Sequence, residues 1–204
     1  MEIIVEQLSK KFSREWIFKG IDYTLKSDQA YAIVGGNGSG KSTLLKILSG
    51  INDPSKGKIT YKKKDKEIPV DEIWQELVLA GPYTELVEEY TLEEHLNFHR
   101  RLKSLTKTNE EIIEVLGFKN ARNKQIQAFS SGMKQKLKLA LAFFSEASIL
   151  MLDEPTSNLD HKNIEWYQQW LPICSKGKIT LICSNQPYEY EFCKYKIFME
   201  NYKY

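Results

Sequence analysis

Residues 30–50 read AYAIVGGNGSGKSTLLKILSG, and the fold is decided here. Ala30 to Val34 is a short, nearly continuous apolar run, the pattern of a strand buried on both faces. From Lys41 onward, Leu44, Leu45, Ile47 and Leu48 recur at helical spacing, and Gly50 stands where a helix-ending glycine belongs. Between strand and helix, Gly35 to Ser42 (GGNGSGKS) fits the pattern G-x-x-x-x-G-K-[ST] without a mismatch. Glycines let backbone N–H groups wrap a phosphate, and the helix N-terminus adds a favourable dipole. In a loop of this kind Lys41 reaches the β- and γ-phosphates of a nucleotide and Ser42 coordinates Mg²⁺. A plain glycine-rich turn would account for the glycines but not for Gly-Lys-Ser in register.

Upstream, Glu2 to Leu8 and Ile17 to Leu25 read as strands. Downstream, Asn52-Asp53-Pro54 is a turn and Lys58 to Lys62 a strand, with Lys62 to Lys64 a solvated loop or edge. The middle is helical. Thr91-Leu92-Glu93-Glu94 and Thr108-Asn109-Glu110-Glu111 each fit the capping box, in which a Thr hydroxyl and a Glu three residues later satisfy orphan amides. Helices are expected over about 92–103, 109–116 and 132–144. Ile149 to Leu152 (ILML) is then a strand ending in Asp153-Glu154, followed by a helix over about 162–171 and a buried strand, Ile179 to Cys183 (ITLIC). Strand–loop–helix, helical block, strand, helix, strand is an α/β order with a helical insertion.

The strand end at Asp153-Glu154 is the second place where chemistry gathers. A carboxylate at the exposed end of a buried strand can hold Mg²⁺ through water, and the next one can polarise an attacking water. Alone, an acid at a strand end is a weak signal; downstream of a P-loop it is a strong one.

Composition narrows the alternatives. The 204 residues suit one domain, or one domain with a lobe. With 42% hydrophobic and 27% charged residues the chain is globular rather than disordered. A net charge of +2 forces neither nucleic-acid binding nor an acidic-tail role, and no stacking aromatics interleave the lysine run. The longest apolar stretch, Leu139 to Phe144, is far short of the roughly 20 residues that span a bilayer, and MEIIVEQLSK has no basic n-region or cleavage site. Cys174, Cys183 and Cys193 match no zinc or redox spacing and suit a reducing cytosol.

Taken together, the motifs resemble the ATP-binding cassette (ABC) ATPases, over about residues 2–193. Phe129-Ser130-Ser131-Gly132-Met133 is similar to the family's signature, usually LSGGQ, with Ser131 and Met133 in place of Gly and Gln. The resemblance implies that Ser130, Ser131 and Gly132 meet the γ-phosphate of ATP held by the opposite subunit, from a helix start that offers hydroxyl and amide donors. Ser157-Asn158-Leu159-Asp160 looks like the D-loop, and Phe12 sits where the family stacks an aromatic on adenine, although a core role suits it too. The family implies a P-loop NTPase core with a mixed or parallel sheet, an N-terminal antiparallel β subdomain, and a helical signature subdomain over about 84–146, in one ABC ATPase domain spanning 1–204. Gly35, Gly36, Asn37, Gly38, Ser39, Gly40, Lys41, Ser42 and Thr43 would hold ATP, Ser42 and Asp153 would hold Mg²⁺, and Glu154 would be the catalytic base beside Lys41.

Two positions depart from the family. The Gln that normally follows the strand after the P-loop helix falls on Pro82, which has no polar side chain and no N–H. Gln75 lies before that strand. The switch His after the last core strand is replaced by Asn185, whose amide can bond a γ-phosphate but cannot become an imidazolium. ATP binding is expected to survive both changes, with slower hydrolysis.

The resemblance favours the cytoplasmic ATPase subunit of an ABC transporter, dimerising around ATP, held on the inner face of the membrane by a separate permease, with no nucleic-acid partner. A soluble translation or DNA-repair ATPase is the alternative, but one P-loop and 204 residues leave no second cassette and no long coiled coil. A slow, nucleotide-sensing cassette is the third reading, suggested by Pro82 and Asn185 and opposed by Lys41, Asp153 and Glu154. His95 and His99, four apart, lack the Glu of H-E-x-x-H and read as packing or partner surface, and Trp166 and Trp170 read as core or interface aromatics.

Overall fold

A computed structural model describes residues 1–203. The chain forms two compact units, residues 1–78, 147–154 and 175–204 in the first, and 79–146 with 155–174 in the second. Among the described residues no helix is long and apolar enough to cross a membrane.

The first unit holds two sheets. In the antiparallel one, β1 (Glu2–Phe12) lies between β2 (Glu15–Lys26) and β4 (Lys56–Lys63), and β5 (Lys66–Ile68) forms the outer edge. Lys64 and Asp65 both adopt positive φ, 49° and 63°, in the two-residue turn joining β4 to β5. Paired positive φ of this kind matches the twist of a hairpin. The second sheet runs β6 (Leu77–Ala80), β7 (Ile149–Asp153), β8 (Ile179–Cys183), β3 (Gln29–Val34) and β9 (Tyr195–Phe198), with β3 parallel to both β8 and β9. Every residue of β7 and β8 is buried, as expected of parallel strands covered on both faces.

Helix α1 (Lys41–Leu48) follows β3 through the glycine-rich loop and buries Leu44, Leu45, Ile47 and Leu48. It ends in a Schellman pair, with Gly50 N–H donating to Ile47 O at 3.1 Å and Ile51 N–H to Lys46 O at 2.9 Å.

Helices dominate the second unit. α2 (Leu92–Leu102) and α3 (Asn109–Leu116) both carry complete capping boxes, from Thr91 with Glu94 and from Thr108 with Glu111. α4 (Ser131–Phe144) packs on α5 (His161–Cys174) through an aromatic seam: Phe143 against Trp166 and Tyr167, and Phe144 edge-on to Trp170. Trp166 also donates its indole N–H to Val115 O at 3.1 Å. The two tryptophans are therefore packing residues, as their spacing suggested. So are the histidines. His99 Nε2 lies 2.9 Å from Ser145 Oγ, and burial together with the charges of His95, Lys103 and Arg100 pushes its pKa down to about 4. Among the described residues no cluster of three or more His, Cys, Asp or Glu side chains could hold a metal.

Candidate functional site

The parallel sheet of the first unit brings three chain segments to one edge. β3 delivers Gly35–Gly40, β7 ends in Asp153, and β8 ends in Cys183 directly opposite Asp153 in register. The short helix α6 (Pro187–Tyr190) begins just beyond Asn185. A cleft of about 400 Å³ lies here, lined by Ile17, Asn37 to Thr43 and Glu154.

The loop is shaped for an anion. Gly40 occupies the N-cap of α1 at φ 101°, a conformation L side chains rarely adopt. A Cβ there would also stand 2.6 Å from Ile17 Cγ2, so the close approach requires glycine. At Gly36 and Gly38 a Cβ would meet nothing within 4 Å, so the backbone there borders open space. No acidic residue stands in the first turn of α1 to compete with a phosphate. Ser39 Oγ is buried and, among the described residues, has no hydrogen-bond partner. A buried hydroxyl without a partner, beside a helix N-terminus, offers a donor to an anion.

Lys41 is 6% exposed, and its Nζ donates to Gly35 O at 2.7 Å and Gly36 O at 3.2 Å. The ammonium thus folds back into its own loop. Ser42 sits in the first turn of α1, half-buried, and Asp153 is buried at the end of β7. Glu154 differs from its neighbour Asp153 in exposure and in backbone conformation. It is exposed, lines the cleft, and holds φ at +47° with its N–H bonded to Cys183 O at 2.9 Å. A non-glycine residue in that region stores about 1–3 kcal/mol of strain, an arrangement concentrated at functional sites. Burial and the neighbouring Asp153 charge push the Cys183 thiol well above its usual pKa. It is no nucleophile, and its Sγ lies 3.6 Å from Lys41 O.

Asn185 Nδ2 donates to Asn37 Oδ1 at 2.7 Å, joining the segment after β8 to the third residue of the loop. Phe12 closes β1 at the hairpin and is 50% exposed, which excludes the core role. The Lys10 ammonium stands 5.1 Å from its ring centre. Gln75 is exposed on the 3₁₀ turn Val70–Gln75 and lines a different cleft with Lys63, Lys66 and Glu72. Ile17 is the lining residue that sequence reasoning missed. It reads as an ordinary strand position, and only the folding of β2 against the loop distinguishes it.

In the second unit, Ser130 is the N-cap of α4, its Oγ accepting the Met133 N–H at 3.2 Å. A Cβ on Gly132 would come within 2.9 Å of Asn158 O. Glycine therefore lets the Ser157–Asp160 segment lie against the start of α4. Pro155 O accepts from the buried Gln135 side chain at 2.7 Å and fixes the same segment. Pro82 is exposed, in a turn closed by Thr84, whose Oγ1 donates to Gly81 O at 2.7 Å.

A glycine-rich loop at a strand-to-helix junction, with a buried carboxylate ending the next strand but one, defines a P-loop protein. The chain belongs to the ABC transporter family, whose sequence profile matches residues 18–157. It is 32% identical over 189 residues to the ABC transporter ATP-binding protein YybJ of Bacillus subtilis (strain 168), covering 90% of this chain and 84% of that one. Against ATP-binding cassette sub-family A member 2 of Rattus norvegicus it is 34% identical over 165 residues, 78% of this chain, and it spans only 7% of that protein's length. A solved ATP-binding cassette, a dimer in a post-hydrolysis state with ADP and Pi, has the same fold, with a TM-score of 0.81 at 20% identity over 96% of this chain and 93% of the other.

Proposed function

We propose that this chain is the ATP-hydrolysing subunit of an ABC transporter, working as a dimer that closes around ATP and drives a separate membrane permease from the cytoplasmic face. The observation that carries this reading is the cleft holding Lys41, Ser42 and Glu154 along one wall of a glycine-rich loop.

In this reading the amides of Gly38 to Thr43 receive the phosphates, with Gly35, Gly36 and Asn37 shaping the entry. Lys41 exchanges its two loop carbonyls for the β- and γ-phosphate oxygens. Ser42 and Asp153 would hold Mg²⁺, which would supply positive charge to neutralise what develops on the phosphates. A hydroxyl and one or two carboxylates suit that ion, because it takes its remaining ligands from phosphate and water. Glu154 accepts a proton from the attacking water, and Phe12 stacks on the base. Ser130, Ser131 and Gly132 complete the site of the opposite subunit. An exposed apolar cluster supports a partner: Ile51, Val70 and Trp74 are each more than half exposed, about Gly50, whose Cβ position faces Val70 and Ile73.

The dimer is tested by Ser130→Arg. Hydrolysis is expected to fail while ATP affinity of the monomer, measured by calorimetry, stays unchanged, because the defect lies in the other subunit's site. Equal loss of binding would mean that Ser130 serves its own nucleotide.

Turnover by the isolated chain is expected to be slow. One well-placed transition-state group typically contributes about 10²–10³ in rate, and Pro82 and Asn185 replace two such groups. An amide does not titrate, so the pH–rate profile should lack a histidine-like inflection between about pH 6 and 7 from this position. Asn185→His should raise the basal rate and Asn185→Ala lower it. Brisk turnover indifferent to Asn185→Ala would make this residue a bystander.

A further inference from the structure

Because β9 pairs in parallel with β3, with Phe198 opposite Val34, the turn after β9 leaves the sheet beside the glycine-rich loop. That turn is Met199–Tyr202. Met199 is fully buried, its methyl carbon 3.5 Å from the position a Cβ would take on Gly40. Glu200 Oε1 accepts the Gly36 N–H at 3.1 Å and stands 3.1 Å from the Cβ position of Gly35. The same two glycines are also held by Lys41, whose Nζ donates to both their carbonyls. Hydrogen bonds from its own N–H and from Gly36, with the Lys203 and Lys41 charges, hold the Glu200 carboxyl below its usual pKa, so it is an acceptor at neutral pH.

We propose that Glu200 is a positioning residue for nucleotide binding, holding the Gly35–Gly36 segment in its cradle shape when Lys41 leaves those carbonyls for phosphate. The inference rests on the reading of Lys41 as a phosphate ligand. Two adjacent glycines have the widest backbone freedom of any pair. Once Lys41 departs, the bond to Glu200 remains as a fixed point on them, and it is anchored by the buried Met199 beside it. A loop kept in shape costs less ordering when the ligand arrives.

The test compares Glu200→Ala, Glu200→Gln and Lys41→Ala, using calorimetry with Mg-ADP and steady-state hydrolysis of Mg-ATP. Glu200→Ala should weaken ADP binding and raise the KM for ATP by about 3- to 10-fold, the range expected for one lost hydrogen bond, with kcat little changed. Glu200→Gln keeps an oxygen acceptor and should restore affinity. Unchanged or tighter binding in Glu200→Ala overturns the proposal. So does a loss just as large in Glu200→Gln, which would trace the effect to charge. If Lys41→Ala binds ADP normally, the phosphate reading of the loop itself fails. If Lys41→Ala abolishes binding and Glu200→Ala is silent, only the role of Glu200 falls.

Discussion

Glu154→Gln should stop ATP hydrolysis and leave ATP-bound dimers to accumulate. The substitution keeps the side chain's shape and removes the negative charge that, in the proposed mechanism, accepts a proton from water. Loss of a general base lowers a rate by about 10²–10⁴-fold. The backbone is consistent with a fixed role, since Glu154 is held at φ +47° with its N–H bonded to Cys183 O, which sets the direction in which its Cα–Cβ bond leaves the chain. Single-turnover hydrolysis and size-exclusion chromatography with ATP measure the two halves of this expectation. Hydrolysis at the wild-type rate would assign the base to another group.

Lys41→Ala should abolish nucleotide binding, with an affinity loss of about 10²-fold or more, since truncating one partner of a buried charge pair typically costs about 2–5 kcal/mol. The substitution also frees the carbonyls of Gly35 and Gly36. Circular dichroism should nevertheless match the wild type, because the apolar face of α1 remains buried against the sheet. Calorimetry with Mg-ATP is the measurement, and an unaltered affinity would remove Lys41 from the site.

The strand–loop–helix of residues 29–48 and both capping boxes were legible because each is a local pattern. Thr91 and Thr108 start their helices where the Thr-x-x-Glu spacing puts them, and β8 spans Ile179–Cys183 as its apolar run suggested. What sequence reasoning missed depends on distant partners. β5 has three residues and exists by pairing with β4; β9, YKIF, carries a lysine in its middle and is a strand because β3 offers it an edge. α5 was expected to stop near Leu171, ahead of a proline, yet runs through Pro172 to Cys174. Tyr167 and Leu171 are buried along it, and packing of that kind overrides local preference. At the site, the residue types of the loop, Asp153 and Glu154 could be read from pattern alone. The bond from Asn185 to Asn37 and the approach of Ile17 to Gly40 could not, because only the folded sheet makes them neighbours.

The strand order has a consequence for how the protein is made. β3, which carries the glycine-rich loop, is synthesised well before its two sheet neighbours, β8 and β9. Parallel pairings across such separations are slow to close, because the chain loses loop entropy before any contact repays it. During translation β3 therefore waits, an apolar segment with both edges open, the condition in which nascent chains aggregate or recruit chaperones. The early antiparallel hairpin of β1 and β2 can form meanwhile from neighbouring residues. The sheet that flanks the glycine-rich loop on both sides is therefore complete only after β8 and β9 have been made.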